Sequence, residues 1–173
     1  MVSASSKTSI GLSYALIGLT SPGNLDFVNG LGTYDCGVSY DKIADINADV
    51  PTVIVDMSGN SDVLGSLHGH LGENMKWCLN VGITHWDQMG QNGAIIRDRS
   101  EMLFAPSHIQ HRMTDWGPAE LDRKVSAFAA ETGVRSRDWM SVFRLDGLEA
   151  MSSIFEMVYQ GNMSPDQGLV VEV

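Results

Sequence analysis

The chain has 173 residues and a formal net charge of −10 at pH 7, because 21 Asp and Glu residues outweigh 11 Lys and Arg residues. This acidity argues against nucleic acid and anionic membrane surfaces as partners, since both attract basic proteins. Hydrophobic residues make up 43% of the chain and charged residues 18%, which is typical of a globular domain. No apolar run reaches the ~20 residues that cross a bilayer. The two cysteines favour a reducing, cytoplasmic setting.

Strand and helix signals alternate along the chain. The clearest strand is VPTVIVDM at 50–57, which is rich in β-branched residues and ends at a Ser-Gly-Asn turn. The pattern predicts helices at 5–15, 25–31, 41–46, 61–71, 117–133 and 148–161, and strands at 17–20, 36–40, 50–57, 75–81, 102–104, 139–145 and 169–173. This alternation predicts a single α/β domain over residues 1–173, with a Rossmann-like, mainly parallel sheet covered by helices on both faces. Ligands of such sheets bind outside the carboxyl ends of the strands.

Seven segments occur in an order shared with a known group of proteins. They are ASSKT at 4–8, GLTSPGN at 18–24, FVNGLGTYD at 27–35, VIVDMSGN at 53–60, VGITHWD at 81–87, FAPSHIQHRMTDWGP at 104–118 and PDQG at 165–168. Together they resemble an uncharacterised family related to the medium-chain dehydrogenase/reductases, the quinone-oxidoreductase-like enzymes. In such relatives a substrate-binding barrel precedes a Rossmann domain that binds NADP. The resemblance therefore implies that this chain is truncated to the Rossmann-like half.

The resemblance also implies where NADP would bind. It puts the phosphates at Ser5, Ser6, Lys7 and Thr8, the adenosine ribose near Thr20, Ser21 and Asn24, and the nicotinamide beside Gly59 and Gly82.

The nucleotide-binding half nevertheless looks shortened in the sequence. Only MVSA precedes the first predicted helix, and SASSKTSIG lacks the G-x-G-x-x-G spacing that lets backbone approach a pyrophosphate. No basic residue stands at 20–24 to hold a 2′-phosphate. We therefore expect a sheet that is incomplete at the N-terminus and no bound cofactor, with NADP retained only if the chain is a reductase.

The first candidate catalytic group follows the strand predicted at 75–81. His85 and Asp87 would supply acid–base catalysis there, with Thr84 and Trp86 contacting the substrate. The alternative is that His85 and Asp87 hydrogen-bond locally and fix the loop.

A second candidate group lies at 107–116. On a helix, His108 and His111 share a face and Asp115 follows His111 at i+4, an arrangement suited to proton relay. Arg112 and Trp116 would contact the substrate, although an Arg112–Asp115 pair that only stabilises the helix is an equal alternative. We expect no metal, because no further ligands stand at a recognised zinc spacing.

Other polar residues have simpler interpretations. His68 and His70 lie near a predicted helix end and are expected at the surface, where the helix dipole favours them. Cys36 and Cys78 lie in predicted strands and are expected in the core.

Three hypotheses of function follow. The first is a non-redox enzyme of the cyclase, isomerase or dehydratase type, which uses His/Asp acid–base catalysis on a hydrophobic, polyketide-like secondary metabolite. The second is an NAD(P)H-dependent oxidoreductase of the quinone or enoyl reductase type. The third is a non-catalytic interaction protein. Because an open sheet edge invites strand pairing, we also expect a homodimer.

Overall fold

The computed structural model describes residues 16–82 and 94–172, together with the backbone of residues 2 and 3. Residues 1–117 and 118–173 form two compact units, which are described separately below. That the whole chain is a single domain stays a prediction.

The first unit is built around a six-stranded parallel sheet. Its strands are β1 (Val2–Ser3), β2 (Ile17–Thr20), β3 (Cys36–Ser39), β4 (Thr52–Asp56), β5 (Met75–Asn80) and β6 (Ser100–Met102). Its helices are α1 (Leu25–Gly30), α2 (Ser61–Leu71) and α3 (Ala105–Trp116). Short 3-10 turns at Pro22–Asn24, Tyr40–Asp45, Gly72–Asn74 and Arg97–Arg99 complete the described part of this unit.

The strands are arranged in the order β3-β2-β1-β4-β5-β6, and every neighbouring pair is parallel. This is the strand order of the Rossmann fold, in which the order reverses between β1 and β4. The prediction of a Rossmann-like, mainly parallel sheet is confirmed.

Both faces of the sheet are covered, as the unbroken apolar strand at 50–57 predicts. Successive residues of a strand point to opposite faces, and in β4 Ile54 and Val55 pack into different clusters. Val55 packs with Val28 of α1 on one face, and Ile54 packs with Leu64 and Leu67 of α2 on the other. The sheet therefore has helices on both faces, and α2 lies on the face that carries the larger core.

Helix α2 has well-defined ends. At its start, Asn60 Oδ1 accepts hydrogen bonds from the backbone N–H groups of Asp62 (3.1 Å) and Val63 (3.2 Å). These bonds satisfy two of the donors that a helix start leaves unpaired. At its end, Gly72 has φ 49°, a left-handed conformation that favours glycine. Local sequence thus fixes which residues of α2 face the sheet.

The second unit is smaller and leaves its apolar side chains exposed. It contains α4 (Pro118–Arg135), β7 (Ser141–Asp146), α5 (Gly147–Tyr159) and β8 (Gln167–Glu172), and β7 pairs with β8 in parallel. The apolar positions of α4 and α5 follow helical spacing, yet Val125, Phe128, Leu148 and Phe155 are each more than half exposed. Among the described helices, none combines the length and the apolar character that spanning a membrane requires.

We expect Asn60→Ala to lower the free energy of unfolding by about 1 kcal/mol, because alanine cannot accept the two hydrogen bonds at the start of α2. Urea denaturation of the wild type and the variant measures the difference. Asn60→Asp keeps an acceptor oxygen at this position and is expected to retain most of the stability. Equal loss in both variants would contradict the capping role.

Candidate functional site

A cavity of about 240 Å³ lies in the first unit, at the carboxyl ends of β4, β5 and β6. Its apolar wall comes from the strands, from α2 and from the segment before β6: Gly59, Leu64, Cys78, Gly82, Ile95 and Met102. Its polar lining residues are Ser61, His68, Asn80, Arg97 and Ser100. A concave, mainly apolar site with a few polar groups, at this edge of a parallel sheet, is the usual form of a small-molecule site.

The turn after β4 is organised by one buried carboxylate. Asp56 accepts hydrogen bonds from the backbone N–H and the hydroxyl of Ser58 (3.0 and 2.9 Å) and from the backbone N–H of Gly59 (2.7 Å). Gly59 has φ 67°, in the left-handed region. The turn therefore directs the chain from β4 into α2 and places Gly59 at the cavity.

Gly82 holds the end of β5 against the end of β4. Its backbone N–H and that of Val81 both donate to the Asp56 carbonyl oxygen, at 3.3 and 2.7 Å. A Cβ at position 82 would lie 2.2 Å from the Met57 carbonyl oxygen, so only glycine fits this approach. The approach brings Gly82 to the cavity.

His68 is the most unusual residue of the cavity. Its side chain is 1% exposed, and its Nδ1 accepts the backbone N–H of Ile96 at 2.9 Å. An Nδ1 that accepts a hydrogen bond carries no proton, so the neutral ring carries its proton on Nε2. Within the described part of the chain, this buried Nε2 has no hydrogen-bond partner.

Burial keeps the imidazole of His68 neutral. The low polarity of its surroundings, and secondarily the positive charge of Arg99, lower the pKa of His68 below its ordinary value. Protonation would also place a proton on Nδ1, which already faces the Ile96 N–H. His68 is therefore a neutral hydrogen-bond donor at neutral pH.

The wall opposite α2 is held by contacts to the start of β5. Arg99 donates to the Met75 carbonyl oxygen at 2.6 Å and to that of Glu73 at 3.3 Å. Ser100 Oγ donates to the Ile96 carbonyl oxygen at 2.7 Å. These bonds fix the backbone around Ile96, whose N–H orients the imidazole ring of His68.

Cys78 lines the cavity but is poorly suited to act as a nucleophile. Burial, and secondarily the nearby charge of Asp56, raise the pKa of its thiol to about 11. The thiolate is the reactive form, and at neutral pH this group stays a thiol. Cys78 is a core residue, as predicted, whereas the prediction that Cys36 is also in the core is wrong because its side chain is exposed.

The predicted cluster on α3 forms, but at an exposed surface. His111 Nε2 lies 3.7 Å from Asp115 Oδ2, and Arg112 donates to the same oxygen at 2.9 Å. Arg112 also lies over the Trp116 ring, 5.2 Å from its centre. His108 is exposed as well, and none of these five side chains lines the cavity. The Arg112–Asp115 contact is present, and both interpretations of the cluster, a catalytic role and stabilisation of the helix, stay predictions.

The remaining predicted residues divide into three groups. Gly59 and Gly82, expected beside a nicotinamide, line the cavity. Thr20 at the end of β2 is fully buried, and its Oγ1 has no partner among the described residues, whereas Ser21 and Asn24 are half-buried. The others, Ser5, Ser6, Lys7, Thr8, Thr84, His85, Trp86 and Asp87, lie outside the described residues.

In residues 16–82 and 94–172, no group of three or more His, Cys, Asp or Glu side chains could hold a metal ion.

The chain matches, over residues 1–164, a family model described as "Protein of unknown function (DUF2855)". It belongs to this family. Comparison with curated proteins and with solved structures gave no match. The relationship of this DUF2855 chain to the medium-chain dehydrogenase/reductases stays a prediction.

Sequence analysis of this DUF2855 chain missed His68, and the prediction of a surface position for it is wrong. The signal was present in the helix periodicity. His68 follows Leu64 at i+4 and precedes Leu71 at i+3, so it belongs to the stripe that faces the sheet. His70 lies off this stripe and is half-buried, with Nε2 2.7 Å from the Ile46 carbonyl oxygen.

We expect the lowered pKa of His68 to make the protein less stable as the pH falls below about 6.5, the ordinary histidine pKa. There the unfolded chain takes up a proton at His68 and the folded chain does not, so the free energy of unfolding falls with falling pH. Each unit of pKa difference costs up to about 1.4 kcal/mol. Urea denaturation between pH 5 and 7.5 measures this dependence.

His68→Gln removes this titrating group, so its free energy of unfolding should change less over the same pH range. Leu67→Met serves as the control, because it changes a buried neighbour on the same helix and removes no titrating group, so its pH dependence should stay that of the wild type. A His68→Gln curve parallel to the wild type would contradict a neutral, buried His68.

Proposed function

We propose that this chain is a non-redox enzyme that transfers protons on a small, largely apolar organic molecule held in the cavity. The observation that carries the proposal is the cavity itself, because it lies at the carboxyl ends of three parallel strands and is mainly apolar. Cyclisation, isomerisation and dehydration are the reaction types that acid–base catalysis alone would support. A polyketide-like metabolite has the apolar body that the cavity walls favour.

His85 and Asp87 are the proposed acid–base pair. Gly82 lines the cavity, and these two residues follow it by three and five positions in the sequence. A histidine near its ordinary pKa exchanges protons readily at neutral pH, and a neighbouring carboxylate favours its charged form. Thr84 and Trp86, in the same segment, are the proposed substrate contacts.

The α3 cluster is the alternative source of the catalytic proton. His111 and Asp115 are within 3.7 Å, and α3 begins three residues after β6, at the same edge of the sheet as the cavity. Against this alternative, both side chains are exposed, and solvent screens the influence of the carboxylate on the imidazole. We therefore favour His85 over His108 and His111.

A simple proton-transfer assay tests the proposal. In D2O, a general base removes an α-proton of the ketone 1-tetralone, the enol forms, and deuterium returns to the same carbon. We expect the protein to accelerate this exchange above the buffer rate, and His85→Ala to lower the acceleration by about 10²–10⁴-fold, the usual contribution of one acid–base group. Proton NMR follows the loss of the α-proton signal.

Matched variants show which histidine is responsible. His70→Asn lies outside the cavity lining and should leave the exchange rate unchanged. Loss of exchange in His108→Ala or His111→Ala, with His85→Ala active, would move the catalytic role to α3. A wild-type rate equal to that of the buffer would contradict the proposed function.

A nicotinamide-dependent reductase is the second candidate, and the strand order favours it. The order β3-β2-β1-β4-β5-β6 is that of dinucleotide-binding domains, which bind the cofactor where the order reverses. Gly59 and Gly82, which the resemblance puts beside the nicotinamide, follow β4 and β5 and line the cavity, and this supports the second candidate.

The described residues at the adenosine end fit NADP poorly. The segment after β2 is Ser-Pro-Gly-Asn and offers no cation to a 2′-phosphate. Thr20 Oγ1 has no partner among the described residues, but Thr20 is buried and, unlike His68, does not line the cavity. We therefore derive no reaction step through a nicotinamide.

We expect NADPH and NADH to leave the melting temperature unchanged up to millimolar concentration, because SASSKTSIG lacks the G-x-G-x-x-G spacing that lets backbone approach a pyrophosphate, and the described residues after β2 offer no cation to a 2′-phosphate. Thermal unfolding with increasing cofactor measures this. A melting temperature that rises and saturates with either cofactor would favour the reductase, since a ligand that binds the folded state stabilises it.

Exposed apolar side chains of the second unit support two further proposals, a homodimer and a non-catalytic interaction role. The apolar stripe of α5 includes Leu148 and Phe155, which are 68% and 56% exposed. Exposed apolar stripes of this kind are typical of association surfaces. The two free cysteines support the cytoplasmic location that we propose for the chain.

A further inference from the structure

We propose that the Nε2–H group of His68 donates a hydrogen bond to a neutral carbonyl oxygen of the molecule bound in the cavity. The ligand is accordingly a ketone-like or quinone-like compound with an apolar body. This inference deepens the proposed function and rests on it for the identity of the site, but it assigns a binding residue and a ligand class that the acid–base proposal leaves open.

The fixed tautomer of His68 is the first step of the argument. Because Nδ1 accepts the Ile96 N–H at 2.9 Å, the ring proton is on Nε2, and the imidazole cannot rotate without losing that bond. A buried donor without a partner is costly, and native structures retain one where a ligand or a function requires it. His68 Nε2 is such a donor within the described part of the chain, and the residue lines the cavity.

The other polar groups of the cavity are less available as directed donors. Asn80 Nδ2 donates to the Glu101 carbonyl oxygen at 3.2 Å, and Ser100 Oγ donates to that of Ile96 at 2.7 Å. The Ser61 hydroxyl also lines the cavity, but a hydroxyl rotates and serves equally as donor or acceptor. A ligand that satisfies His68 must therefore carry one hydrogen-bond acceptor atom.

The charge of the site favours a neutral acceptor over a carboxylate. Burial holds the imidazole neutral, so it offers a hydrogen bond without a positive charge. Arg99 already bonds two backbone carbonyl oxygens and the Glu73 carboxylate. Arg97 lines the cavity but is exposed, so water screens its charge. A neutral imidazole that polarises a carbonyl group is an established chemical arrangement.

Two probe molecules of the same shape test the assignment. 1-Tetralone and tetralin share one bicyclic skeleton, and only the first carries a carbonyl oxygen. We expect the wild-type protein to bind 1-tetralone about two- to tenfold more tightly than tetralin, the usual contribution of one neutral hydrogen bond. Ligand-observed NMR titration gives both affinities. The 13C signal of a labelled carbonyl carbon should shift downfield on binding, as hydrogen bonding to the oxygen requires.

Variants of His68 separate the donor from the packing of the ring. His68→Asn keeps an acceptor for the Ile96 N–H but, being shorter, has no N–H group at the Nε2 position, so the preference for the ketone should disappear. His68→Gln places an amide N–H group near the Nε2 position and should restore part of the preference. His70→Asn, on the same helix but outside the cavity, should retain the full preference.

Four results would overturn the inference. They are absence of 1-tetralone binding, equal binding of 1-tetralone and tetralin by the wild type, an unchanged ketone preference in His68→Asn, and tighter binding of tetralin-1-carboxylic acid than of 1-tetralone. The proposed function fails on a different result. If the ketone binds through His68 but its α-protons do not exchange, the inference holds and the proposed proton-transfer function is contradicted. If the α-protons exchange without a preference for the ketone over tetralin, the proposed function holds and the inference is contradicted.

Discussion

The hydrogen bond from the Ile96 N–H to His68 Nδ1 connects two parts of the first unit that are far apart in sequence. It joins the middle of α2 to the segment that leads into β6, and it spans 28 positions. Because this bond selects the tautomer, it also decides that the buried Nε2 is a donor. The bond therefore fixes one wall of the cavity and the polarity of its interior at once. Arg99 supports it from the other side by holding the same segment against the carbonyl oxygens at the start of β5.

Local sequence patterns predicted most helices and strands of the fold. The errors in their bounds come from pairing between strands that are far apart in the sequence. Asn60 and Gly72 mark the ends of α2 in the sequence as they do in the structure. The strand predicted at 102–104 lies instead at Ser100–Met102, because Ser100 pairs with Cys78 of β5 and Phe104 is 66% exposed. The apolar residues from Met102 to Phe104 led to strand bounds that are shifted by two residues, because the sequence alone does not identify the partner strand. Strand order likewise depends on long-range contacts that no local pattern contains.

The candidate site shows the same division. Its place at the carboxyl ends of the strands followed from the alternation of strands and helices. The resemblance puts Gly59 and Gly82 beside a nicotinamide, and both residues line the cavity. Their contact with a nicotinamide stays a prediction. His68 was misjudged because two histidines near a helix end suggested a dipole effect, whereas the i+4 and i+3 neighbours in the apolar stripe carried more information. Arg97 and Ser100 have no local signature, since their position at the cavity depends on contacts with residues far away in the sequence, such as the pairing of Ser100 with Cys78.

The two halves of the sheet differ in what they offer a ligand. After β2, the described residues give a buried threonine and a Ser-Pro-Gly-Asn segment without a cation. After β4, hydrogen bonds to the Asp56 carboxylate shape the turn that contains Gly59. After β5, the backbone of Gly82 lies close to that of β4 through hydrogen bonds to the Asp56 carbonyl oxygen, and both glycines line the cavity. A dinucleotide needs both halves because its two nucleotides span the point where the strand order reverses. A small carbonyl compound needs only the second half, where His68 supplies the donor and the apolar wall supplies the contact area. Among the described residues of the first unit, the polar groups support the small ligand that we propose, whereas the phosphate positions implied by the resemblance, Ser5, Ser6, Lys7 and Thr8, lie outside those residues. The strand order is the same for both ligands.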